Sequence, residues 1–198
     1  MGKARVEALS DGVFAVAMTI LIFSVEAPKV APGHLLGALW AEWPSYAAYV
    51  GTFFTVGVVW VNHHAFFERL TRVDRPLITL NLCLLIVVVF IPFPTGLLGH
   101  YIQSGSDANT AATFYALVFV LLAIFFIALW VYALTHPGLL ASGFDPNQGW
   151  RRLPRFSVGF VIYLACIPLA QVSPVAVVVG MALTAVYYLF ESLPSRAG

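Results

Sequence analysis

Charged residues are scarce in this sequence, and their scarcity indicates the class of protein. Only 10% of its 198 residues are Asp, Glu, Lys or Arg, whereas soluble domains contain roughly 25%. Hydrophobic residues make up 61% of the chain, and the mean hydropathy is +0.90. Because one soluble core of this size cannot enclose so much apolar surface, the composition predicts a protein that spans a lipid bilayer.

Basic clusters and paired cysteines are missing as well. The net charge is +1, which leaves no basic face to neutralise phosphates, so we do not expect nucleic acid as a partner. Cys83 and Cys166 both lie in apolar stretches, where we interpret them as small core residues, and no disulfide framework is predicted. The N-terminus is not typical of a signal peptide, because Glu7 and Asp11 flank and interrupt its apolar stretch.

Six apolar segments run along the chain, each a candidate transmembrane helix. The fifth is short, and the residues from Gln171 to Pro174 are typical of a tight turn that links it to the sixth. We expect Pro92 and Pro94 to end the third helix and residues 137–150 to form a loop. The pattern predicts an all-α, single domain over residues 1–198, with helices over approximately residues 6–25, 36–67, 77–100, 110–134, 156–170 and 175–190.

Lysine and arginine residues are distributed unevenly between the connections. The two terminal segments and the second and fourth connections hold nine of them, whereas the other three connections hold only Lys29. Basic residues accumulate on the cytoplasmic side of membrane proteins, so both termini are predicted to be cytoplasmic. The nine residues are Lys3, Arg5, Arg69, Arg72, Arg75, Arg151, Arg152, Arg155 and Arg196.

The first apolar segment is unusual because acidic residues lie at one edge of it. Its apolar part, residues 12–25, covers only about 21 Å of helix. A span of roughly 30 Å therefore has to include Glu7, Ser10 and Asp11. Ionisable groups at that depth face protein or water rather than lipid.

A stripe of side chains lies on another face of the same helix. At roughly 100° per residue, Val16, Ile20 and Phe23 fall in one line with Thr19 beside them. The acidic and hydroxyl residues point away from this stripe. In one interpretation the polar face packs on neighbouring helices and the stripe faces something else; in the other, the stripe packs against a further helix like any apolar face.

Polar residues gather at the cytoplasmic ends of three helices. Near the end of the second lie Trp60, Asn62, His63 and His64, and Asn81 lies at a similar depth in the third. An Asp beside a His favours the charged form of both, so a contact between Asp11 and either His would make the position of the first helix depend on pH. Because unpaired polar groups at this depth are costly, we predict a hydrogen-bond network among Arg5, Ser10, Asp11, His63, His64 and Asn81.

Three sequence motifs resemble those of the transmembrane protein 175 family, which contains lysosomal potassium channels and prokaryotic relatives. The run RVEALSDGVFAVAMT, residues 5–19, resembles its Arg-x-x-x-Phe-Ser-Asp signature, with Leu9 in place of the usual Phe. The run WVNHHAFF from Trp60 resembles its second-helix Trp-x-x-His motif. Asn81-Leu, followed by FIPFPT from Phe90, resembles its third helix.

The resemblance implies a homotetramer of six-helix subunits around a central pore lined by the first helices. The pore would have no carbonyl-type filter, and its constriction would be made by Val16, Thr19, Ile20 and Phe23. The implied function is a potassium-selective channel, weakly selective over sodium, in a bacterial plasma membrane, with potassium as the permeant ion, no cofactor and no small-molecule substrate. The resemblance also implies that a polar cluster supports the pore helix without binding ions, namely Arg5, Ser10, Asp11, Trp60, His63, His64 and Asn81.

Other function classes remain open on the sequence. A secondary transporter or a proton-permeable pathway is one alternative, although the centres of the spans carry no Asp, Glu, Lys or Arg of the kind that coupled transport uses. A metalloenzyme is disfavoured, since adjacent His63 and His64 point about 100° apart on a helix. A structural membrane protein without transport activity is the further alternative.

Overall fold

The computed structural model describes residues 2–192, apart from the side chains of residues 152, 155, 156 and 189–192, so Arg196 and the side chains of Arg152 and Arg155 lie outside the description. Within this part the chain is α-helical, with two short 3-10 turns, Leu21–Ser24 and Pro137–Leu139. The helices are Lys3–Ile20 (α1), Leu35–Ala41 (α2), Trp43–Glu68 (α3), Arg75–Phe90 (α4), Pro92–Tyr101 (α5), Ser106–Thr135 (α6), Pro146–Phe156 (α7), Val158–Ala170 (α8) and Pro174–Ser192 (α9).

Four stretches of the described chain are long and apolar enough to cross a bilayer. They are Lys3–Ser24, Trp43–Glu68, Arg75–Tyr101 and Ser106–Thr135, and two shorter apolar helices, α8 and α9, follow them. The six predicted segments thus correspond to four long and two short apolar helices. The predicted turn between the last two is confirmed, because α8 ends at Ala170 and α9 begins at Pro174.

Prolines lie next to two helix boundaries, of which one was predicted incorrectly. The predicted helix over residues 36–67 is two helices in the structure. Helix α2 ends at Ala41, Glu42 interrupts the helix, and Pro44 lies in the first turn of α3. The predicted end of the third helix before Pro92 agrees with the structure, in which α4 ends at Phe90. A new helix, α5, begins at Pro92, and the Thr95 amide donates to the Ile91 carbonyl at 3.2 Å. A proline in a first turn needs no N–H partner and fits helical φ.

The arginine-rich connections meet at one end of the bundle. Lys3 Nζ donates to the Leu70 carbonyl at 2.8 Å, which ties the start of α1 to the α3–α4 connection. That connection pairs in turn with the segment after α6, where the Thr71 amide donates to Leu139 O at 2.9 Å and Arg72 Nε donates to Gly138 O at 2.8 Å. Residues 137–150, predicted as a loop, therefore include a 3-10 turn and the start of α7.

The core places α1 on one side of the molecule. Here α1 packs against α3 and α4, whereas α6 packs against α4, α5 and α8, and α9 packs against α3 and α8. Among the fully buried side chains of this core are Phe14, Phe66, Leu84, Phe119 and Leu129. Since α1 has helices on one side only, its other face is uncovered in the single subunit.

Candidate pore helix and its polar support

The two faces of α1 differ in burial. The buried residues of this segment, Val6, Ser10, Phe14, Ala17 and Leu21, recur every three or four positions and therefore form one helical face against the core. On the other face, Val16 is 56% exposed and Phe23 is 81% exposed, while Thr19 is exposed and Ile20 half-buried. The predicted stripe thus lies at the surface of the subunit rather than in its interior.

The end of the stripe departs from regular α-helix. Ile20 is the last residue of α1, and Leu21–Ser24 form a 3-10 turn. Such a turn advances about 20° more per residue than an α-helix, so Phe23 is rotated from the direction that α-helical phase predicts. Within the stripe, the Thr19 hydroxyl donates to the Val16 carbonyl at 2.8 Å, which leaves the lone pairs of its oxygen available to a cation.

A chain of hydrogen bonds connects α1, α4 and α3 through their buried surfaces. The Ser10 hydroxyl donates to the Val6 carbonyl at 2.9 Å, and Asn81 Nδ2 donates to Ser10 Oγ at 2.9 Å. His63 Nε2 lies 2.8 Å from Asn81 Oδ1. Ser10, Asn81 and His63 are each no more than 1% exposed. The chain therefore links α1 to both neighbouring helices by hydrogen bonds, and the support of a pore helix by these three residues stays a prediction.

The direction of this chain assigns the tautomer of His63. Asn81 presents its carbonyl oxygen to the ring, so His63 Nε2 is the protonated donor. His63 Nδ1 is then a bare acceptor, and it is fully buried without a hydrogen-bond partner among the described residues. The ring packs between Phe14 and Phe67, with centroids 5.2 and 4.7 Å away. Both ring nitrogens are thus accounted for, Nε2 by its bond to Asn81 and Nδ1 by the aromatic packing around it.

A second set of contacts joins α1 to α3 nearer the surface. Trp60 Nε1 donates to Asp11 Oδ1 at 2.8 Å, whereas His64, on the neighbouring face of α3, lies 3.3 Å from Glu7 and 3.7 Å from Glu68. Neither histidine forms a hydrogen bond or an ion pair with Asp11, whose partner is the indole. The hypothesis of an Asp11–His switch therefore lacks its direct contact.

Two predicted members behave differently from the rest of the polar cluster. Arg5 is exposed, and its guanidinium makes no hydrogen bond or ion pair with the residues that the structure describes. His64 is the outer partner of Glu7, a residue that the predicted network did not include. Glu7 precedes Asp11 by one helical turn, so the two side chains lie on the same face of α1. This i, i+4 spacing could have indicated that Glu7 also faces α3.

A second buried polar cluster was not predicted. The Thr52 and Tyr115 hydroxyls lie 2.7 Å apart, and the Thr95 hydroxyl donates to Thr52 at 3.3 Å, so the cluster joins α3, α6 and α5. Its members come from three helices and share no spacing, so nothing in the sequence indicated them. Among the described residues, no group of three or more His, Cys, Asp or Glu side chains is arranged to hold a metal ion.

The chain matches known proteins over the same helices. The pattern of the family described as endosomal/lysosomal potassium channel TMEM175 matches residues 5–92. A potassium channel of Streptomyces collinus is 44% identical over 197 residues, which cover 97% of this chain and 94% of the relative. The Gallus gallus endosomal/lysosomal proton channel TMEM175 is 32% identical over 145 residues, which cover 69% of this chain and 29% of the relative.

A solved structure shares the architecture. The crystal structure of a lysosomal potassium-selective channel TMEM175 homologue from Chamaesiphon minutus superimposes with a TM-score of 0.86 at 34% identity, covering 96% of this chain and 98% of that one. The all-helical fold of this chain is therefore that of a multi-pass membrane protein, as its composition predicts. With near-full-length identity of 44% to one relative and the same fold as another, the chain belongs to the TMEM175 family.

Proposed function

We propose that this protein is the subunit of a homotetrameric, potassium-selective channel in which four copies of α1 line a central pore. The proposal rests on the division of α1 into a hydrogen-bonded buried face and an exposed apolar stripe, in a chain 44% identical to a potassium channel. The bacterial relatives support a plasma-membrane location. The cytoplasmic position of both termini remains part of this proposal.

The stripe has the chemistry of a hydrophobic constriction. Val16, Ile20 and Phe23 carry no polar side-chain atom, so a narrow ring of four such side chains excludes water and closes by dewetting. Opening requires only that α1 tilts or rotates enough to widen the ring. The buried chain from Ser10 to His63 holds the other face of α1 during such a movement, because breaking it would leave buried polar groups unpaired.

Selectivity follows from the weak polarity of the same path. Potassium loses its hydration water at a lower cost than sodium, so a narrow neck with few polar atoms passes potassium more readily. Thr19 supplies hydroxyl oxygens at the neck, because its proton is donated to Val16 and its lone pairs face outward with an exposed side chain. We expect weaker discrimination than a ring of backbone carbonyls provides.

Potassium flux from liposomes tests the stripe. The protein is reconstituted under a potassium gradient, and the flux and the potassium-over-sodium preference are compared for the wild type, Val16→Asn, Ile20→Asn and Phe23→Ala. We expect the Asn variants to conduct more and to discriminate less, because an amide ring stays wet where an aliphatic ring does not.

Val161→Asn is the matched control for Val16→Asn. Val161 lies on α8 and is 62% exposed, against 56% for Val16, so the change has the same chemistry at an apolar surface away from α1. Its flux and ion preference should equal those of the wild type. Unaltered flux and ion preference in all three stripe variants would show that the stripe does not line the pore.

Proton conduction is a second candidate function. The observation that favours it is the 32% identity to a vertebrate protein described as a proton channel. Liposomes that contain the protein and a pH-sensitive dye separate the two functions when the pH gradient is followed without potassium and the potassium flux is measured in a parallel sample with a potassium gradient. Collapse of an imposed pH gradient through the wild type would support proton conduction, whereas potassium flux with a stable pH gradient would exclude it.

A further inference from the structure

An apolar groove lies between α1 and α4 on the outside of the subunit. Leu9 and Val13 form its wall on α1, and Leu82, Ile86 and Val89 are among the residues that form its wall on α4. None of the residues that line the groove carries a polar side-chain atom. On the surface of a multi-pass membrane protein, such a groove suits a hydrocarbon chain.

Two arginines lie at one end of this groove. Helices α1 and α4 run in the same direction, because both begin at the arginine-rich end of the bundle. Ser10 and Asn81 are hydrogen-bonded and therefore level with each other, so Arg5, five residues before Ser10, lies level with Pro76 and next to the depth of Arg75. Both arginines belong to the first turn of an apolar span, which is the depth of the lipid headgroups.

Helical phase places both arginines on the groove side of their helices. At roughly 100° per residue, Leu9 is about 40° from Arg5, and Ile86 is about 20° from Arg75. Arg5 is also about 20° from Val16, so it lies at the border between the groove and the stripe. A ligand at the two arginines would therefore contact α1 beside the proposed pore lining.

Neither guanidinium has a partner in the part of the chain that the structure describes. Arg5 and Arg75 are exposed and form no hydrogen bond or ion pair with the described residues. The nearby acids are bound elsewhere, since Glu7 and Asp11 contact side chains of α3, and Asp74 accepts hydrogen bonds from its own helix and from α6. The end of the groove therefore presents two positive charges at the membrane surface.

We propose that the groove is a binding site for an anionic phospholipid. Guanidinium groups bind phosphate oxygens through bidentate, charge-assisted hydrogen bonds, and basic pockets between transmembrane helices bind anionic headgroups. The phosphate lies at Arg5 and Arg75, and an acyl chain packs along the apolar walls towards Ile86.

Charge selects this occupant over the other candidates. An apolar helix of a second subunit would cover the walls of the groove but leave both guanidinium groups unpaired. A phospholipid with a zwitterionic headgroup brings a positive charge of its own to the two arginines. Free phosphate matches the arginines but leaves the apolar walls uncovered. The proposal concerns lipid binding alone, so its test is independent of the flux experiments.

A fluorescent reporter in the groove tests the proposal. In a background of Cys83→Ala and Cys166→Ala, Ile86→Cys is labelled with bimane, and the full chain is reconstituted into phosphatidylcholine liposomes. The liposomes contain an equal small fraction of phosphatidylglycerol or phosphatidylcholine with a quenching nitroxide on the acyl chain. We expect labelled phosphatidylglycerol to be enriched at the reporter roughly fivefold or more, because each basic residue near the surface favours an anionic lipid by about that factor.

Ile124→Cys on α6 is the matched reporter position outside the groove. Ile124 is exposed and lies eleven residues before the end of α6, as Ile86 lies eleven residues after the start of α4, and both of these helix ends lie at the arginine-rich end. Helix α6 contains no Lys or Arg, so the two labelled lipids should quench this reporter equally.

Two arginine variants complete the comparison at the Ile86→Cys reporter. Arg5→Gln combined with Arg75→Gln should abolish the excess quenching by phosphatidylglycerol and leave quenching by phosphatidylcholine unchanged, which shows that the groove itself persists. Arg151→Gln should retain the excess, because Arg151 is an exposed arginine of α7, which packs on α6 and α8.

Four results would overturn the proposal. Equal quenching by the two lipids at the Ile86→Cys reporter would mean that lipid surrounds the groove without headgroup preference. Absence of quenching by either lipid would mean that a second subunit covers the groove. Loss of the excess on addition of inorganic phosphate at constant ionic strength would assign the arginines to free phosphate. An excess that persists in the double arginine variant would separate the arginines from lipid binding.

Discussion

Asn81 is the residue on which the support of α1 depends most directly. It donates to Ser10 on α1 and accepts from His63 on α3 at the same time, and it is fully buried. Its side-chain amide can do both because it carries an acceptor and two donors on one rigid group. A residue with only one of these functions would leave one neighbouring helix without its bond.

We therefore expect Asn81→Leu to lower the free energy of unfolding by about 1–3 kcal/mol, since it leaves buried polar groups unpaired. Detergent-solubilised protein unfolded with sodium dodecyl sulfate provides the measurement. Asn109→Leu is the control, because the Asn109 amide makes a longer, exposed contact of 3.4 Å with Gln171 O, and its loss should change stability by less than about 0.5 kcal/mol. Equal effects of the two substitutions would contradict the role assigned to Asn81.

The start of α4 shows how a connection outside the spans positions a helix. Asp74 is the N-cap of α4, where its carboxylate accepts the Leu77 amide at 3.0 Å and the Tyr132 hydroxyl of α6 at 2.7 Å. Partial burial raises the pKa of Asp74, but the hydrogen bonds from Tyr132 and Leu77, together with nearby His136, outweigh burial and hold the pKa below its ordinary value. The carboxylate form is therefore the one that stabilises the fold.

The sign of this shift predicts the pH dependence of the cap. A carboxyl group whose pKa is lowered by folding stabilises the folded state fully at pH values above its ordinary pKa of about 4. This stabilisation is lost as the pH falls through the pKa of the group in the folded protein. We expect Asp74→Ala to cost about 0.5–2 kcal/mol at pH 7 and progressively less below about pH 4. The check is the unfolding free energy of both proteins from pH 7 to pH 3.

Asp107→Ala is the comparison for this experiment, because Asp107 is an exposed acid in the first turn of α6 whose side chain has no hydrogen bond among the described residues. Its effect should stay below about 0.5 kcal/mol at every pH. A pH-independent loss of stability in Asp74→Ala would mean that the charge of the carboxylate does not matter for the cap.

The six apolar segments, which form four long spans and two short apolar helices in the described residues, and the two faces of α1 could be predicted from the sequence because apolar length and helical phase depend on neighbouring residues only. The exposed position of Val16 and the buried position of Ser10 follow from that phase, whereas the 3-10 turn after Ile20 rotates Phe23 away from it. Which polar side chains form hydrogen bonds with each other could not be predicted in the same way, because this depends on which helices pack together and on their rotation. The pairing of Asp11 with Trp60 rather than with a histidine is set by the rotation of α3, which places His63 inward and His64 outward.

Helix boundaries next to prolines could also not be predicted fully from the sequence. A proline excludes a helix interior but suits a first turn, so the sequence around Pro92 permits both an ending and a restart. Both occur here, since α4 ends at Phe90 and α5 begins at Pro92. The new helix packs closely on α3, where a Cβ on Gly99 would lie 3.0 Å from Ser45 Cα. Tertiary packing of this kind cannot be predicted from the local sequence.

At the scale of the whole molecule, the subunit leaves the stripe of α1 without a partner of its own. Helices cover α1 on one side, through contacts to α3 and α4, and the arginine-rich connections tie its first residue to the same bundle. Association of subunits around α1 would turn this uncovered face into the wall of a water path. The proposed pore requires that water and ions reach the stripe, whereas they do not reach equally exposed apolar residues elsewhere.

The accessibility of engineered cysteines to a reagent in water shows whether the stripe lines a water path. In a background of Cys83→Ala and Cys166→Ala, Val16→Cys and Phe23→Cys are compared with Val161→Cys on the exposed face of α8. The measurement is potassium flux before and after a charged, membrane-impermeant methanethiosulfonate reagent. We predict that the reagent reduces potassium flux through the two α1 variants and leaves the flux through Val161→Cys unchanged. Unchanged flux in both α1 variants, or an equal reduction in all three variants, would contradict a pore lined by α1.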